Sequence, residues 1–262
     1  MSDSLRGKTA LITGASSGLG ADFARELAGR GADLILVARR REALEKLAME
    51  LRAATGVKVQ VMPTDLSDGA ERERLAAAVQ AAGIAVDMLV NNAGFGVYGP
   101  FADADWARVD QMLQLDVVAL THLTRLFVHG MKARGYGRIL QVASTGAFQP
   151  TPTYAAYAAA KSYVLSFGLA LDHELRGSGV CCTTISPGVT ATEFFQVSGQ
   201  RQTWYHRSTA MSPAAVARIG VRALLAGRSS VVAGWMNAFM AWTTRFMPRP
   251  LAAAVTYQIM KN

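Results

Sequence analysis

The chain has 262 residues, a length that suits one α/β unit with a full core better than two domains. With 51% apolar and 18% charged residues, its composition is that of a globular protein and excludes a disordered or fibrous one. The net charge of +8 invites a nucleic-acid reading, but the basic residues are dispersed, the densest run is Arg39-Arg40-Arg41, and no nucleic-acid motif accompanies them.

In chain order, residues 1–8 are polar and lead directly into an apolar run, so no secretory signal is read there. Short segments rich in Val, Ile or Leu at 9–13, 33–38, 57–63 and 86–91 read as strands, each edged by Gly, Asp or Pro. Between them, 19–30, 42–54 and 69–82 carry apolar residues at helical spacing. A helical region over 103–134, a strand at 137–144 and a helix over 154–176 follow. Then come a strand at 180–186, an irregular stretch, a helix near 213–226 and a short strand at 229–233. Strands alternating with helices predict an α/β doubly wound Rossmann fold: a single seven-stranded parallel sheet with helices on both faces, forming one domain over 1–262.

Cys181 and Cys182, the two cysteines, are adjacent in a β-branched run. Neighbouring strand side chains point to opposite faces, so the pair is badly placed to bridge, and a reducing cytoplasm is expected. Beyond Gly234, Trp235, Phe239, Trp242 and Phe246 recur at helical spacing as an aromatic stripe on an extension over 235–262. The uncharged run 229–244 is 16 residues long, short of the roughly 20 that a spanning helix needs. Packing against the domain or a sister subunit is the expected role. The alternative is contact with a membrane surface, with Arg245 and Arg249 meeting anionic headgroups.

Gly14-Ala15-Ser16-Ser17-Gly18-Leu19-Gly20 lies where the first strand turns into the first helix. Glycines there permit a tight turn and let backbone N–H groups approach a pyrophosphate at a helix N-terminus. The spacing Gly-x-x-x-Gly-x-Gly resembles that of the short-chain dehydrogenase/reductase family, and further segments match it in order. Asn91-Asn92-Ala93-Gly94 follows the fourth strand, Ser144 ends the fifth, and Tyr157-x-x-x-Lys161 begins 13 residues later. Pro187-Gly188 follows the sixth strand, with Thr190 and Thr192 just beyond. The resemblance covers about residues 7–233 and places Asp65, with Leu66 beside it, at the adenine. It implies cofactor contacts from Gly14, Ser16, Ser17, Gly18, Leu19, Gly20, Asn92, Ala93, Gly94, Tyr157, Lys161, Pro187, Gly188, Thr190 and Thr192. At the end of the second strand stand Arg39 and Arg40, where a diol-binding enzyme carries an acid; guanidinium forks suit a 2′-phosphate, so NADP(H) is the expected cofactor, with Arg39 best placed and Ser16 a helper.

On a helix, residues four apart share a face, so Lys161 stands one turn from Tyr157. A nearby ammonium, together with the positive charge of oxidised nicotinamide, is expected to stabilise phenolate and lower the tyrosine's ordinary pKa of about 10. Tyr157 could then give a proton to a carbonyl oxygen, or take it back, as hydride moves. The resemblance adds that Lys161 bonds the nicotinamide ribose and Ser144 the substrate oxygen. Tyr154 and Tyr163 lack a lysine four residues on. His122, His129 and His173 read as helix residues, and no metal is expected. Asp116 departs from the pattern, because most family members have asparagine there, holding a water that relays protons from the lysine; Asp116 is expected to serve the same relay.

Loops beyond strands four to six offer Phe95, Val97, Tyr98, Phe101, Phe148, Pro150, Phe194, Phe195, Trp204 and Tyr205 as an apolar wall. A hydrophobic ketone, aldehyde or alcohol is the expected substrate, as in bacterial members described as ketone reductases. Residues 189–212 are expected to form a lid. The small residues Ala155, Ala159, Ser162, Ser166 and Ala170 on the catalytic helix, with the family habit of pairing it, imply a homodimer or homotetramer. A catalytically idle NADP(H)-binding regulator and a lipid-directed peripheral reductase are the competing readings.

Overall fold

The computed structural model describes residues 4–192, 194–201 and 209–261; Trp204, Tyr205, His206 and Arg207 lie outside them. Seven strands form one sheet: β1 (Thr9–Thr13), β2 (Asp33–Ala38), β3 (Val59–Pro63), β4 (Met88–Asn91), β5 (Gly137–Val142), β6 (Val180–Ser186) and β7 (Ser230–Val232). Their order is β3-β2-β1-β4-β5-β6-β7 and every pairing is parallel. Helices α1 (Gly18–Ala28), α2 (Arg41–Thr55), α3 (Gly69–Ala81), α4 (Trp106–Leu113), α5 (Leu120–Ala133), α6 (Ala155–Glu174) and α7 (Phe194–Ser198) connect them. The chain continues through α8 (Pro213–Leu225), α9 (Trp235–Thr243) and α10 (Arg249–Met260).

Two-residue alternation along the strands divides the core between the faces of the sheet. Ala10, Ile12, Leu34 and Leu36 pack with Phe23 and Leu27 of α1 and Val221 of α8. Leu11, Ile35, Val37 and Leu89 pack on the opposite face with Leu123 and Met131 of α5. The same alternation buries Cys182 and leaves Cys181 half-buried, both as free thiols. Strand order reverses between β1 and β4, which opens a crevice at their C-terminal ends.

Two local features position that crevice's chemistry. The predicted long helix over 103–134 is interrupted by a π-helical segment, Gln114–Ala119, which carries Asp116 inward. Helix α6 lies hard against β6 at Gly168, where a Cβ would stand 2.0 Å from Thr184 Oγ1. Gly168→Ala is therefore expected to lower stability by about 1–3 kcal/mol through overpacking, despite alanine's roughly 1 kcal/mol better helix propensity. Urea unfolding measures this, and an unchanged midpoint would mean that α6 yields freely.

Candidate active site

The crevice begins at the glycine turn. Gly14 (φ +67°) and Gly18 (φ +54°) adopt left-handed backbone, and a Cβ on Gly20 would stand 2.2 Å from the Gly14 carbonyl oxygen. Asn92 fixes this turn by donating from Nδ2 to the Thr13 carbonyl at 2.9 Å. In return Thr13 Oγ1 accepts from the N–H groups of Asn92 (2.9 Å) and Ala93 (3.0 Å). Ser17 precedes α1 without a side-chain cap among the described residues, and no acid occupies the first turn. The positive end of that helix thus keeps its field for an anion in the crevice.

Arg39, Arg40, Thr64, Asp65 and Leu66 line the outer part of the same cavity, whose volume is about 690 Å³. Arg40 reaches over the turn and donates from Nε and Nη2 to Ser16 Oγ at 3.4 and 3.3 Å. Asp65 holds the next turn by accepting from the Ser67 N–H (3.0 Å) and hydroxyl (2.7 Å). Burial pushes its carboxyl up, but those bonds and the Arg39 charge outweigh it and leave it below its ordinary range. Arg41 faces away, exposed and 4.0 Å from Glu45. A glycine cradle and an uncompensated helix N-terminus suit a dinucleotide, and two guanidiniums stand at the end of β2 beside it.

Ser144, Tyr157 and Lys161 meet at the inner end of this cavity. Lys161 is buried; its Nζ donates to the Val142 carbonyl at 3.1 Å and lies 5.6 Å from the centre of the Tyr157 ring. The Ser144 hydroxyl faces the same inner end of the cavity as Tyr157, and its Oγ accepts from the Gly146 N–H at 3.1 Å. Contrary to the sequence expectation, the phenol of Tyr157 is raised above its ordinary value. Burial is the largest cause, the Asp116 carboxylate adds to it, and the neighbouring Ser144 hydroxyl opposes both. The smaller, electrostatic part comes from the second partner of Lys161. Asp116 Oδ2 lies 3.0 Å from its Nζ, so part of the ammonium's field is spent on a carboxylate and not on the phenol.

Asp116 is fully buried, and its Oδ1 accepts from the Phe95 N–H at 3.0 Å. A Cβ on Gly94 would stand 2.7 Å from that oxygen, which accounts for glycine at the end of Asn91-Asn92-Ala93-Gly94. Burial holds the Asp116 carboxyl above its ordinary range, although Lys161 and the Phe95 N–H pull it down.

Pro187 and Gly188, with Thr190 and Thr192, form the far wall of the cavity. Residues 189–191 pair with Met211, through Met211 N–H to the Val189 carbonyl (2.9 Å) and Ala191 N–H to the Met211 carbonyl (3.1 Å). Both ends of the segment read as a lid are therefore pinned side by side. Phe95, Phe194 and Phe195 line the cavity as expected, whereas Val97, Tyr98, Phe101, Phe148 and Pro150 do not; Phe101 is exposed. Tyr154 belongs to the wall too, its hydroxyl bonded to Ser198 Oγ (2.9 Å) and Gln200 Oε1 (3.0 Å). The larger miss is the C-terminal extension, because Met240, Met247, Val255, Thr256, Ile259 and Met260 of α9, α10 and their connection also line the cavity. Of the two packing partners expected for its aromatic stripe, the domain is not one: Trp235, Phe239, Trp242 and Phe246 are all exposed. The inward positions went instead to smaller and more flexible side chains such as Ala241 and Met240.

Comparison with known proteins agrees with this geometry. The short chain dehydrogenase family pattern matches residues 8–203. A very-long-chain 3-oxoacyl-CoA reductase of Anas platyrhynchos is 32% identical over 199 residues, 73% of this chain but only 62% of that protein. A short-chain dehydrogenase of Sphingobium yanoikuyae solved with NADPH superposes with a TM-score of 0.82 at 28% identity, covering 92% of this chain and 95% of the other. One from Burkholderia phymatum solved with NAD gives 0.82 at 29% identity over 92% and 93%. On its fold, its motifs and these matches, the chain belongs to the short-chain dehydrogenase/reductase family, a family of oxidoreductases.

Proposed function

We propose that the protein is an NADP(H)-dependent reductase of hydrophobic carbonyl compounds, working reversibly on the matching alcohols. The observation that carries this reading is the meeting of Ser144, Tyr157 and Lys161 at the inner end of the glycine cradle. NADPH, when bound, supplies the hydride that reduces the carbonyl carbon. Tyr157 donates its hydroxyl proton to the carbonyl oxygen as negative charge develops there. Ser144 positions that oxygen with a hydrogen bond. Lys161, 5.6 Å from the ring, stabilises the phenolate left behind.

The second-strand arginines support NADP(H) over NAD(H), since a guanidinium pairs with a phosphate where a carboxylate would repel it. Arg39→Asp is expected to cut the preference for NADPH over NADH, as a ratio of kcat/KM, by roughly 10–100-fold, the loss of one or two charge-assisted bonds. An unchanged ratio would move the discrimination to Arg40 or away from β2 altogether.

The apolar lining supports a hydrophobic substrate, and the likeness to an oxoacyl-CoA reductase makes 3-oxoacyl thioesters the first class to assay. The segment 189–212 acts as the lid over one domain that includes the C-terminal helices. Ala155, Ala159, Ser166 and Ala170 are exposed on α6 and leave that helix free to pair with its copy in a homodimer or homotetramer. Two unbridged cysteines fit a reducing cytoplasm. The direct test is NADPH oxidation against ketones, aldehydes and 3-oxoacyl thioesters of graded chain length. Turnover that rises with apolar bulk is the expected result; NADPH binding without turnover of any of them would leave an idle regulator.

A further inference from the structure

The two terminal helices present two different apolar faces. The inner one closes the cavity and is tied down through the Met260 carbonyl, which accepts from Gln200 Nε2 at 2.8 Å and from the Tyr98 hydroxyl at 3.4 Å. The outer one is open. Trp235 is 80% exposed and Phe246 72%, with Phe239 and Trp242 between them also more than half exposed. Three of these rings form a rail, with Phe239–Trp242 centroids 6.3 Å apart and Trp242–Phe246 4.9 Å. On α10, Leu251, Val255 and Ile259 add a second exposed row at four-residue spacing. Single exposed apolar residues are ordinary, but a contiguous patch of this kind marks an interaction surface.

Charge selects the partner. Residues 235–262 hold three cations, Arg245, Arg249 and Lys261, and no Asp or Glu. A two-fold contact with a second copy would set this patch against itself, bringing like charges together with no carboxylate from the extension to answer them. An anionic lipid surface supplies the missing charge, and tryptophan, phenylalanine and arginine are the side chains that settle at its headgroup boundary. No helix among the described residues is long and apolar enough to cross a membrane, and α9 and α10 are short helices separated at Pro248. Such helices lie on a surface.

We propose that the outer face of α9 and α10 docks on an anionic phospholipid surface. Val255 and Ile259 belong both to the exposed row and to the cavity wall. Docking therefore sets an apolar passage between the lipid and the cavity. The use of that passage to take an apolar carbonyl compound from the lipid rests on the reductase reading; the docking itself does not.

The test is flotation of the full chain with vesicles of phosphatidylcholine alone or mixed with phosphatidylglycerol, alongside NADPH-linked turnover of a small water-soluble ketone. The chain is expected to float with the anionic vesicles and far less with the neutral ones. The triple variant Trp235→Ser, Phe239→Ser, Phe246→Ser is expected to lose at least about tenfold in partitioning while keeping that turnover. Arg245→Gln with Arg249→Gln is expected to lose about tenfold on anionic vesicles alone. Failure of the unaltered chain to float, or equal flotation of the triple variant, overturns the proposal. So does a dimer, seen by light scattering without lipid, that the triple variant dissociates, since the face would then belong to a second copy. Absent turnover in a chain that floats would count against the reductase reading and leave the docking standing.

Discussion

Replacing Tyr157 with phenylalanine is expected to lower NADPH-linked ketone turnover by about 10²–10⁴-fold, the usual worth of a positioned proton donor. Phenylalanine keeps the ring's packing, with Tyr154 at 5.7 Å and Phe194 at 5.4 Å between centroids, and removes only the hydroxyl. Binding of NADPH, followed by quenching of its fluorescence, is expected to change far less than turnover. The neighbouring phenol of Tyr154 is no ready substitute, since its hydroxyl is committed to Ser198 and Gln200 and burial pushes it well above the ordinary value. Activity that survives Tyr157→Phe would sink the mechanism. The pH dependence offers a second check. Because the Tyr157 phenol is raised, its protonated form persists well above neutral pH, so reduction is expected to stay level from neutral into mildly alkaline solution. Alcohol oxidation needs the phenolate and is expected to keep rising through the same range. A reduction rate that falls on passing above pH 7 would contradict the raised phenol.

How far the sequence revealed this molecule depends on the kind of signal. The strands Thr9–Thr13, Asp33–Ala38 and Val180–Ser186 fall at the predicted bounds, because buried parallel strands are short β-branched runs with polar punctuation. Gly14, Asn92, Ser144, Tyr157, Lys161 and Pro187 come to one cavity, since each motif follows a strand end and the parallel sheet gathers those ends. The direction of loop side chains was not legible. Val97, Phe101, Phe148 and Pro150 have the right composition and position in the chain, yet a loop has no period to aim them. The terminal helices failed for the opposite reason. A helix with Trp and Phe on one face and Met and Ala on the other is apolar all round, and its pattern cannot say which face meets the domain. The π-helical segment around Asp116 adds one residue to a turn without altering composition, so the direct contact with Lys161 was hidden as well.

That contact sets the last expectation, for Asp116→Asn. The carboxylate is engaged on both sides, its Oδ1 accepting from the Phe95 N–H and its Oδ2 ion-paired with the Lys161 ammonium, each at 3.0 Å. An amide offers one acceptor and turns a donor toward one of those groups, leaving an N–H or an ammonium facing another donor. Stability is therefore expected to fall by about 1–3 kcal/mol, the cost of one buried unmatched group, measurable by urea unfolding. Catalysis should respond differently. Removing the negative charge takes away a contribution that raises the Tyr157 phenol, and it frees the field of Lys161 to act on that phenol. Both changes favour phenolate, so the rise of alcohol oxidation with pH is expected to move to lower pH, with ketone reduction at neutral pH preserved or improved. Collapse of turnover with NADPH binding intact would show instead that the carboxylate itself carries protons to and from Lys161. An unmoved oxidation profile would mean that the charge of Asp116 is neutralised by Lys161 before it reaches the tyrosine. The mutant thus separates a carboxylate that holds Lys161 in place from one that relays its proton.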